Sequence, residues 1–205
     1  WLFRLTFRLA WRGALVMVLI LGLAVGYVYT TLPAVTALLD GRARGSVTML
    51  DRYGEVFAWR GEQFGGQISS TTVSPYLGDA IVATEDRRFY MHPGVDPIGI
   101  ASAVKINLAE GRGPLSGHGG STITQQTAKL LCLGTPYDPD VWENETAYES
   151  DCRETSLWRK VREAVYAMAM EVKYTKAEIL TIYMNRAFLG AGSRGFEAAA
   201  QRYFG

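Results

Sequence analysis

The sequence predicts a mainly α-helical domain that follows one transmembrane helix and a short pair of strands. Three observations support this fold class. A long run near the N-terminus is apolar and uncharged, two short alternating segments flank a turn at Gly54, and helix start and stop signals recur from Pro75 onward.

The composition of the 205-residue chain excludes several protein classes. Hydrophobic residues make up 48%, which is too many for a disordered chain. The mean hydropathy is near zero, which is too low for a polytopic membrane protein. A net charge of +1 gives no concentrated basic face, so no nucleic-acid partner is expected.

Residues 1–38 are predicted to be a short cytoplasmic N-terminus and a transmembrane anchor. No charged residue occurs from 13 to 39, and about twenty apolar residues suffice to cross a bilayer. Arg4, Arg8 and Arg12 precede this run, so the positive-inside rule places the remainder on the periplasmic side of a bacterial inner membrane. A retained anchor is favoured over a cleaved signal peptide, and a buried core helix is the least favoured alternative.

Residues 39–73 are predicted to be a linker containing two short strands, Val47–Asp51 and Glu55–Trp59. The helical domain is then expected over residues 74–205. Ser74 before Pro75 and Asp96 before Pro97 are N-cap signals, and the second of these helices is expected to end at Ala109.

The helices beyond residue 110 are also predicted from their ends. Residues 111–120 contain five glycines and a proline, which predicts a mobile loop, and the next helix starts near Ser121 or Thr122. A helix is expected from Leu157 to Lys173, another from 176 to about 187, and a last one ends near 203. The predicted apolar stripe of the 157–173 helix is Ala164, Val165, Met168 and Val172. Thr175 and Glu178 form a predicted capping box.

Three polar clusters are candidates for chemistry. Glu85 and Asp86 directly follow an apolar helix, where a partly desolvated carboxylate suits a general base, although a solvated helix end is the simpler alternative. Thr122, Gln126 and Lys129 share one helix face behind a glycine-rich loop, which fits either an anion site or a capped surface helix. The third cluster consists of Arg159, Lys160 and Glu163, which alone would be read as a surface salt bridge.

Taken together and in this order, the clusters resemble the motifs of the peptidoglycan glycosyltransferases, glycosyltransferase family 51. This family includes monofunctional enzymes and the N-terminal domains of class A penicillin-binding proteins. E-D-x-x-F-x-x-H-x-G begins at Glu85, G-G-S-T-I-T-Q-Q-x-x-K at Gly119, and R-K-x-x-E at Arg159. Two further family patterns begin at Lys176 and Gly190, so the resemblance covers residues 75–205.

The resemblance implies a lysozyme-like fold with a head and a membrane-dipping jaw, the latter at about residues 97–119. It also implies the reaction, in which a growing glycan on a polyprenyl pyrophosphate is transferred with inversion to the 4-hydroxyl of lipid II, forming a β-1,4 link. The expected partners are lipid II and the membrane, with other cell-wall synthesis proteins as further candidates. The alternatives are a glycan-cleaving enzyme on the same fold and a catalytically silent membrane scaffold.

Residue roles also follow from the resemblance. Glu85 is expected to be the general base, and Glu163 the second glutamate, which supports the acceptor or orders the basic cluster. Lys129, Arg159 and Lys160 would stabilise the leaving pyrophosphate. Hydrogen bonds to the substrate are expected from Asp86, Thr122 and Gln126, whereas Ser121 would cap its helix. Architectural roles are expected for Phe89, His92, Tyr183 and Asn185. The resemblance also implies a divalent cation, Mg²⁺ or Mn²⁺, at the pyrophosphate, but no metal-ligand spacing is visible in the sequence.

The chain departs from the family pattern in three places. Leu130 stands where the family often has Asn, and the chain ends at Gly205 without transpeptidase motifs. An insertion at residues 132–155 is strongly acidic and contains both cysteines. Because Cys132 and Cys152 bracket the insertion and an oxidising periplasm is expected, we predict a disulfide between them.

Overall fold

The computed structural model describes residues 2–39, 47–60, 63–64, 66–114, 116–117, 119–154 and 156–205. The α-helices of these ranges are α1 (Leu2–Thr31), α2 (Val35–Leu39), α3 (Pro75–Glu85), α4 (Pro97–Ala109), α5 (Ile123–Leu130), α6 (Glu145–Cys152), α7 (Leu157–Lys173), α8 (Lys176–Arg186) and α9 (Phe196–Phe204). The strands are β1 (Val47–Leu50), β2 (Val56–Arg60), β3 (Gln63–Phe64) and β4 (Ser193–Arg194), and a 3₁₀ helix spans Phe89–Met91. The mainly α fold class is confirmed.

The strands form two small sheets. β1 pairs antiparallel with β2, with Val47 opposite Arg60, so the predicted strand pair is confirmed. β3 pairs in parallel with β4, which was not predicted because each strand has only two residues. This second pairing ties the linker to the C-terminal end of the domain.

Helix α1 is long and apolar enough to cross a membrane. Only 6% of its most apolar window is buried, so the buried-core alternative is wrong. Its C-terminal end is different, because Val28 in the last turn and Leu32 directly after the helix are buried in the domain core. Immediately after it, the Tyr174 hydroxyl donates to the carbonyl of Pro33 at 2.6 Å. The candidate anchor is therefore packed onto the helical domain.

The core of the domain lies where α5, α7 and α8 meet. Its fully buried side chains include Ile123, Met170, Ile179, Ile182 and Met184. Burying each such side chain contributes about 1.5–3 kcal/mol relative to leaving it exposed. These three helices therefore form a rigid support for the polar residues at their ends.

The predicted bounds of α7 are confirmed, but its predicted apolar stripe is confirmed only in part: Val165 packs against the core, and Ala164 and Met168 are half-buried. Val172 is 68% exposed, whereas Arg159, Glu163 and Met170 are buried. The inward face of the first turns is occupied by an ion pair. A pattern based on hydrophobicity alone therefore misses the charged residues on the buried face of this helix.

The N-caps were predicted with mixed success. Asp96 accepts a hydrogen bond from the Gly99 amide at 3.0 Å, and Thr175 forms its capping box with Glu178, so both predictions are confirmed. Ser74 makes no side-chain capping bond, although Pro75 does begin α3. Thr122, not Ser121, caps α5.

The acidic insertion contains a short helix, α6, and a disulfide between Cys132 and Cys152 with a Cα separation of 5.7 Å. Tyr148 is buried beneath it, and its ring packs edge-on against Trp142 at 5.1 Å. The insertion is therefore a folded segment with a small apolar centre. Leu115 and His118 of the glycine-rich loop and Thr155 of the insertion lie outside the described residues, and the mobility of that loop stays a prediction.

Candidate active site

The first two motifs hold each other in place through a buried carboxylate. Both oxygens of Asp86 lie 3.0 Å from His92 Nε2, and its Oδ2 also accepts from the Ile123 amide at 3.0 Å. The Gly94 amide lies 3.2 Å from His92 Nδ1 and donates to it, so Nε2 carries the hydrogen that Asp86 accepts. Asp86 thus fixes the start of α5 beside the end of α3, and its predicted substrate contact is replaced by this internal role.

Thr122 provides a second hydrogen-bonded connection between the two motifs. Its hydroxyl donates to the carbonyl of Gly94 at 2.6 Å and accepts from the Gln125 amide at 3.1 Å. The side chain is 1% exposed. The donor and acceptor functions of its hydroxyl are thus used within the protein, which gives Thr122 an internal role here, and the expected contact with the substrate stays a prediction.

Glu85 is the C-terminal residue of α3 and is exposed. The hydrogen bonds of Asp86 and Thr122 place it beside α5. The Gln126 amide Nε2 donates to Glu85 Oε2 at 2.9 Å. The Tyr183 hydroxyl in turn donates to Gln126 Oε1 at 3.5 Å. Burial, together with the negative charge of Glu85, raises the pKa of Tyr183 to about 12, so this hydroxyl stays a donor at neutral pH. This series of hydrogen bonds orients one carboxylate oxygen of an exposed glutamate.

A cleft of about 430 Å³ opens beside Glu85. It lies between the end of α3, helix α4 and the start of α5. The cleft is lined by residues 84–88, 96, 99, 102–103, 106 and 119–122. Arg88 Nε donates to Asp96 Oδ2 at 2.8 Å, which braces this wall and lowers the pKa of Asp96. At Gly120 a Cβ would lie 2.7 Å from Cα of Ile100, so only glycine permits α4 to approach α5 this closely.

A second group of charges surrounds Glu163 at the start of α7. Glu163 is 5% exposed, and its Oε1 accepts from Arg159 Nη1. The Lys160 ammonium is 3.0 Å from Glu163 Oε2 as an ion pair and donates to Ser121 Oγ at 2.9 Å. Lys160 therefore connects α7 to the residues that line the cleft.

The three predicted cations are not equivalent. Arg159 is 5% exposed and is held by Glu163, whereas the Lys160 side chain is 42% exposed. We therefore correct the prediction for Arg159: it positions its neighbours and does not present a free guanidinium. Glu163, predicted as catalytic, is likewise an internal counter-ion. This geometry favours the second of its two expected roles, ordering the basic cluster.

Lys129 lies on α5, one turn beyond Gln126, and is partly buried. No hydrogen bond or ion pair holds its ammonium within the described part of the chain. Burial, followed by repulsion from Arg159, lowers the pKa of Lys129 below the ordinary value of 10.5. A lysine that is partly desolvated and unpaired favours an incoming anion.

Sequence reasoning missed two residues of this site. Ser121 was expected to cap its helix but instead accepts from Lys160 at the cleft. Tyr183 was expected to be purely architectural but orients Gln126. The four-residue spacing of Ile179 and Tyr183 shows only that both face inward, so a tertiary partner was needed to reveal the role of the hydroxyl.

The carboxylates of the described residues bear on the divalent cation that the resemblance implies. No group of three His, Cys, Asp or Glu side chains among them is placed to hold a metal ion. Glu163 is already neutralised by two cations, and both oxygens of Asp86 are occupied. The donor set does not fit a protein-held Mg²⁺ or Mn²⁺, and no step below uses one.

Comparison with known proteins identifies what this arrangement is similar to. The family model described as transglycosylase matches residues 54–205. Penicillin-binding protein 1A of Escherichia coli is 36% identical over 179 residues, covering 87% of this chain and 19% of that protein. Penicillin-binding protein 1A of Aquifex aeolicus is 35% identical over 193 residues, covering 91% of this chain and 24% of that protein. The chain thus spans about a fifth to a quarter of the length of these relatives.

Proposed function

Because this chain belongs to the transglycosylase family, we propose that it polymerises glycan strands of peptidoglycan from lipid II. Family membership also confirms the lysozyme-like helical fold. The observation that supports the activity best is the placement of Glu85. Its carboxylate lines the cleft and accepts a hydrogen bond from Gln126. Gln126 lies on α5, the helix that also carries the unpaired cation Lys129.

In the proposed reaction, Glu85 accepts the proton of the acceptor's 4-hydroxyl as that oxygen attacks the anomeric carbon of the donor. The hydrogen bond from Gln126 holds Glu85 Oε2, so Oε1 is the oxygen that takes the proton. Positioned bases of this kind contribute about 10²–10⁴-fold to a rate. The attack inverts the anomeric carbon and forms the β-1,4 link.

The leaving group is a polyprenyl pyrophosphate, which needs charge stabilisation more than a proton. Lys129 and Lys160 supply it, because Lys129 is unpaired and the Lys160 side chain is 42% exposed, while Arg159 and Glu163 fix their surroundings. The pyrophosphate lies between α5 and the start of α7 in this proposal. The acceptor occupies the cleft beside Glu85, which α4 closes on its other side.

A glycan-cleaving lysozyme-like activity is the second candidate, and the geometry disfavours it. Such enzymes use two carboxyl groups on opposite sides of the bond, one as an acid. Asp86 is buried and bonded to His92, and Glu163 is buried and ion-paired with Arg159 and Lys160. Of the carboxylates that line the cleft in the described part of the chain, Asp86 and Asp96 are bonded to His92 and Arg88, which leaves Glu85 to exchange a proton with a substrate.

We also propose that the catalytic domain works at the outer surface of a bacterial inner membrane, held there by α1. Packing of the end of α1 against α7 supports this arrangement, since it keeps the cleft near the bilayer. Exposed apolar side chains on α4, such as Ile98 and Leu108, would enter the interface. A lipid-linked substrate can then react without leaving the membrane.

The proposal is tested by giving the full chain, reconstituted in liposomes, two substrates in separate reactions. One is fluorescent lipid II, and the other is finished uncrosslinked glycan strand. We expect polymer from lipid II and no shortening of the finished strands. Shortened strands without polymer would support the cleaving enzyme, and inertness toward both would support the silent scaffold.

A further inference from the structure

The insertion is attached to the end of α5, directly beyond Lys129. The Cys132 amide donates to the carbonyl of Lys129, and the Leu133 amide to that of Ala128, both at 3.1 Å. These two bonds form a Schellman motif, whose residue in the left-handed region is usually glycine. Here it is Cys132, with φ of 50°. Its side chain is used in the disulfide to Cys152, which brings the far end of the insertion back to this helix end.

Arg153, the residue after the second cysteine, makes the next attachment. Its Nη2 donates to the carbonyl of Leu130 at 3.2 Å, so a cation lies at the C-terminal end of α5, where the helix dipole favours it. Its Nη1 is 3.0 Å from Glu149 Oε2, which also pairs with Arg194 at 2.5 Å. Arg153 is thus held on two sides.

Glu154 makes the third attachment, this time to the basic cluster on α7. Its carbonyl accepts from Arg159 Nε at 2.5 Å. Arg159 holds Glu163, and Glu163 pairs with Lys160. The two ends of the insertion therefore contact the two helices that carry Lys129 and Lys160.

We propose that the segment from Cys132 to Glu154, closed by its disulfide, is a brace that sets the separation of Lys129 and Lys160 and thereby the affinity for the donor's pyrophosphate. This inference rests on the proposed function. Arg153 is its main positioning residue and touches no substrate. When the brace is loosened, the two ammonium groups lose their fixed spacing, and a bidentate anion is bound less well.

The test uses the full chain in detergent and two variants that loosen the brace in different ways. Cys132→Gly with Cys152→Ala removes the disulfide but keeps a residue that accepts the left-handed backbone. Arg153→Gln keeps the disulfide and removes the bond to Leu130. Glu143→Gln is the control, because it changes the net charge of the same segment by one unit, with the opposite sign, at a residue that makes no hydrogen bond or ion pair in the described structure. Farnesyl pyrophosphate is the binding probe.

For both brace variants we expect the Kd for farnesyl pyrophosphate and the KM for lipid II to rise about tenfold, as loss of positioning predicts. The kcat at saturation should change less than threefold, since Glu85 is untouched. For the same reason the acidic limb of the pH–rate profile should keep its position on the pH axis. Reduction of the parent with a phosphine should reproduce the disulfide variant without any substitution.

Unchanged Kd and KM in folded variants and in the reduced parent would overturn the proposal. So would a fall in kcat with KM unchanged, because that is the signature of a smaller folded fraction. If the parent binds the probe but does not polymerise lipid II, the proposed function fails. The comparison of probe affinities still tests the brace in that case.

Discussion

Glu163→Gln separates a catalytic role for this residue from the internal role that the structure gives it. The substitution keeps the shape of the side chain and removes its charge. Gln can still accept from Arg159 through its oxygen, but its amide group would then face the Lys160 ammonium, which is 3.0 Å from Glu163 Oε2 in the parent. Two cations would lose their common counter-ion, one of them buried.

The expected cost follows from burial. The side chains of Arg159 and Glu163 are 6% and 5% exposed, and removing one partner of a buried ion pair costs about 3–5 kcal/mol. Because one hydrogen bond to Arg159 survives, the lower end, about 3 kcal/mol, is expected for the loss in free energy of unfolding. For a chain of this size that corresponds to a fall of roughly 6–12 °C in the melting temperature.

The assay is thermal unfolding of the full chain in detergent, with and without inorganic pyrophosphate. Pyrophosphate should stabilise the variant more than the parent, because the anion replaces the missing negative charge beside Arg159 and Lys160. Glu110→Gln is the matched control: its ion pair with Arg112 is 46% and 41% exposed, so a change below about 1 kcal/mol is expected. An unchanged melting temperature for Glu163→Gln, with equal responses to pyrophosphate, would refute the internal role.

Three further outcomes are expected. Donor affinity, measured with farnesyl pyrophosphate, should fall as the pH rises through the lowered pKa of Lys129, in a window below 10.5, and Lys129→Arg should abolish this alkaline loss. Thr122→Val should lower the free energy of unfolding in urea by about 0.5–2 kcal/mol through loss of the N-cap, while Thr122→Ser should retain most of it. Deleting residues 1–22 should weaken turnover of liposome-embedded lipid II and leave the melting temperature unchanged, whereas deleting residues 1–38 should also destabilise the domain, because Val28 and Leu32 belong to its core.

Local signals made much of the fold predictable from the sequence. Asp96 with Pro97, and Thr175 with Glu178, define helix starts through bonds that lie within four residues of each other. Both the first and the last residues of α4, α7 and α8 were predicted to within about one position. The two-residue strands β3 and β4 could not, because their pairing joins segments about 130 positions apart.

The site was predictable in its membership but less so in its roles. Ser121 and Thr122 are adjacent and chemically alike, and only the carbonyl of Gly94 and the ammonium of Lys160 decide which hydroxyl is internal. Arg159 was assigned to the leaving pyrophosphate from the family resemblance. The structure instead buries it with Glu163, and no pattern within one helix distinguishes a buried pair from an exposed one.

The central claim is that Glu85 is the general base of a lipid II polymerase. Its most direct test is the single-turnover rate of the Glu85→Gln chain in liposomes containing lipid II, measured beside the parent and Glu110→Gln. Gln keeps the hydrogen-bonding shape beside Gln126 but cannot take up the proton of the acceptor hydroxyl at neutral pH. The account predicts a rate lower by about two to four orders of magnitude with unchanged affinity for farnesyl pyrophosphate, and a control within a few-fold of the parent. Polymerisation by Glu85→Gln within a few-fold of the parent would contradict it.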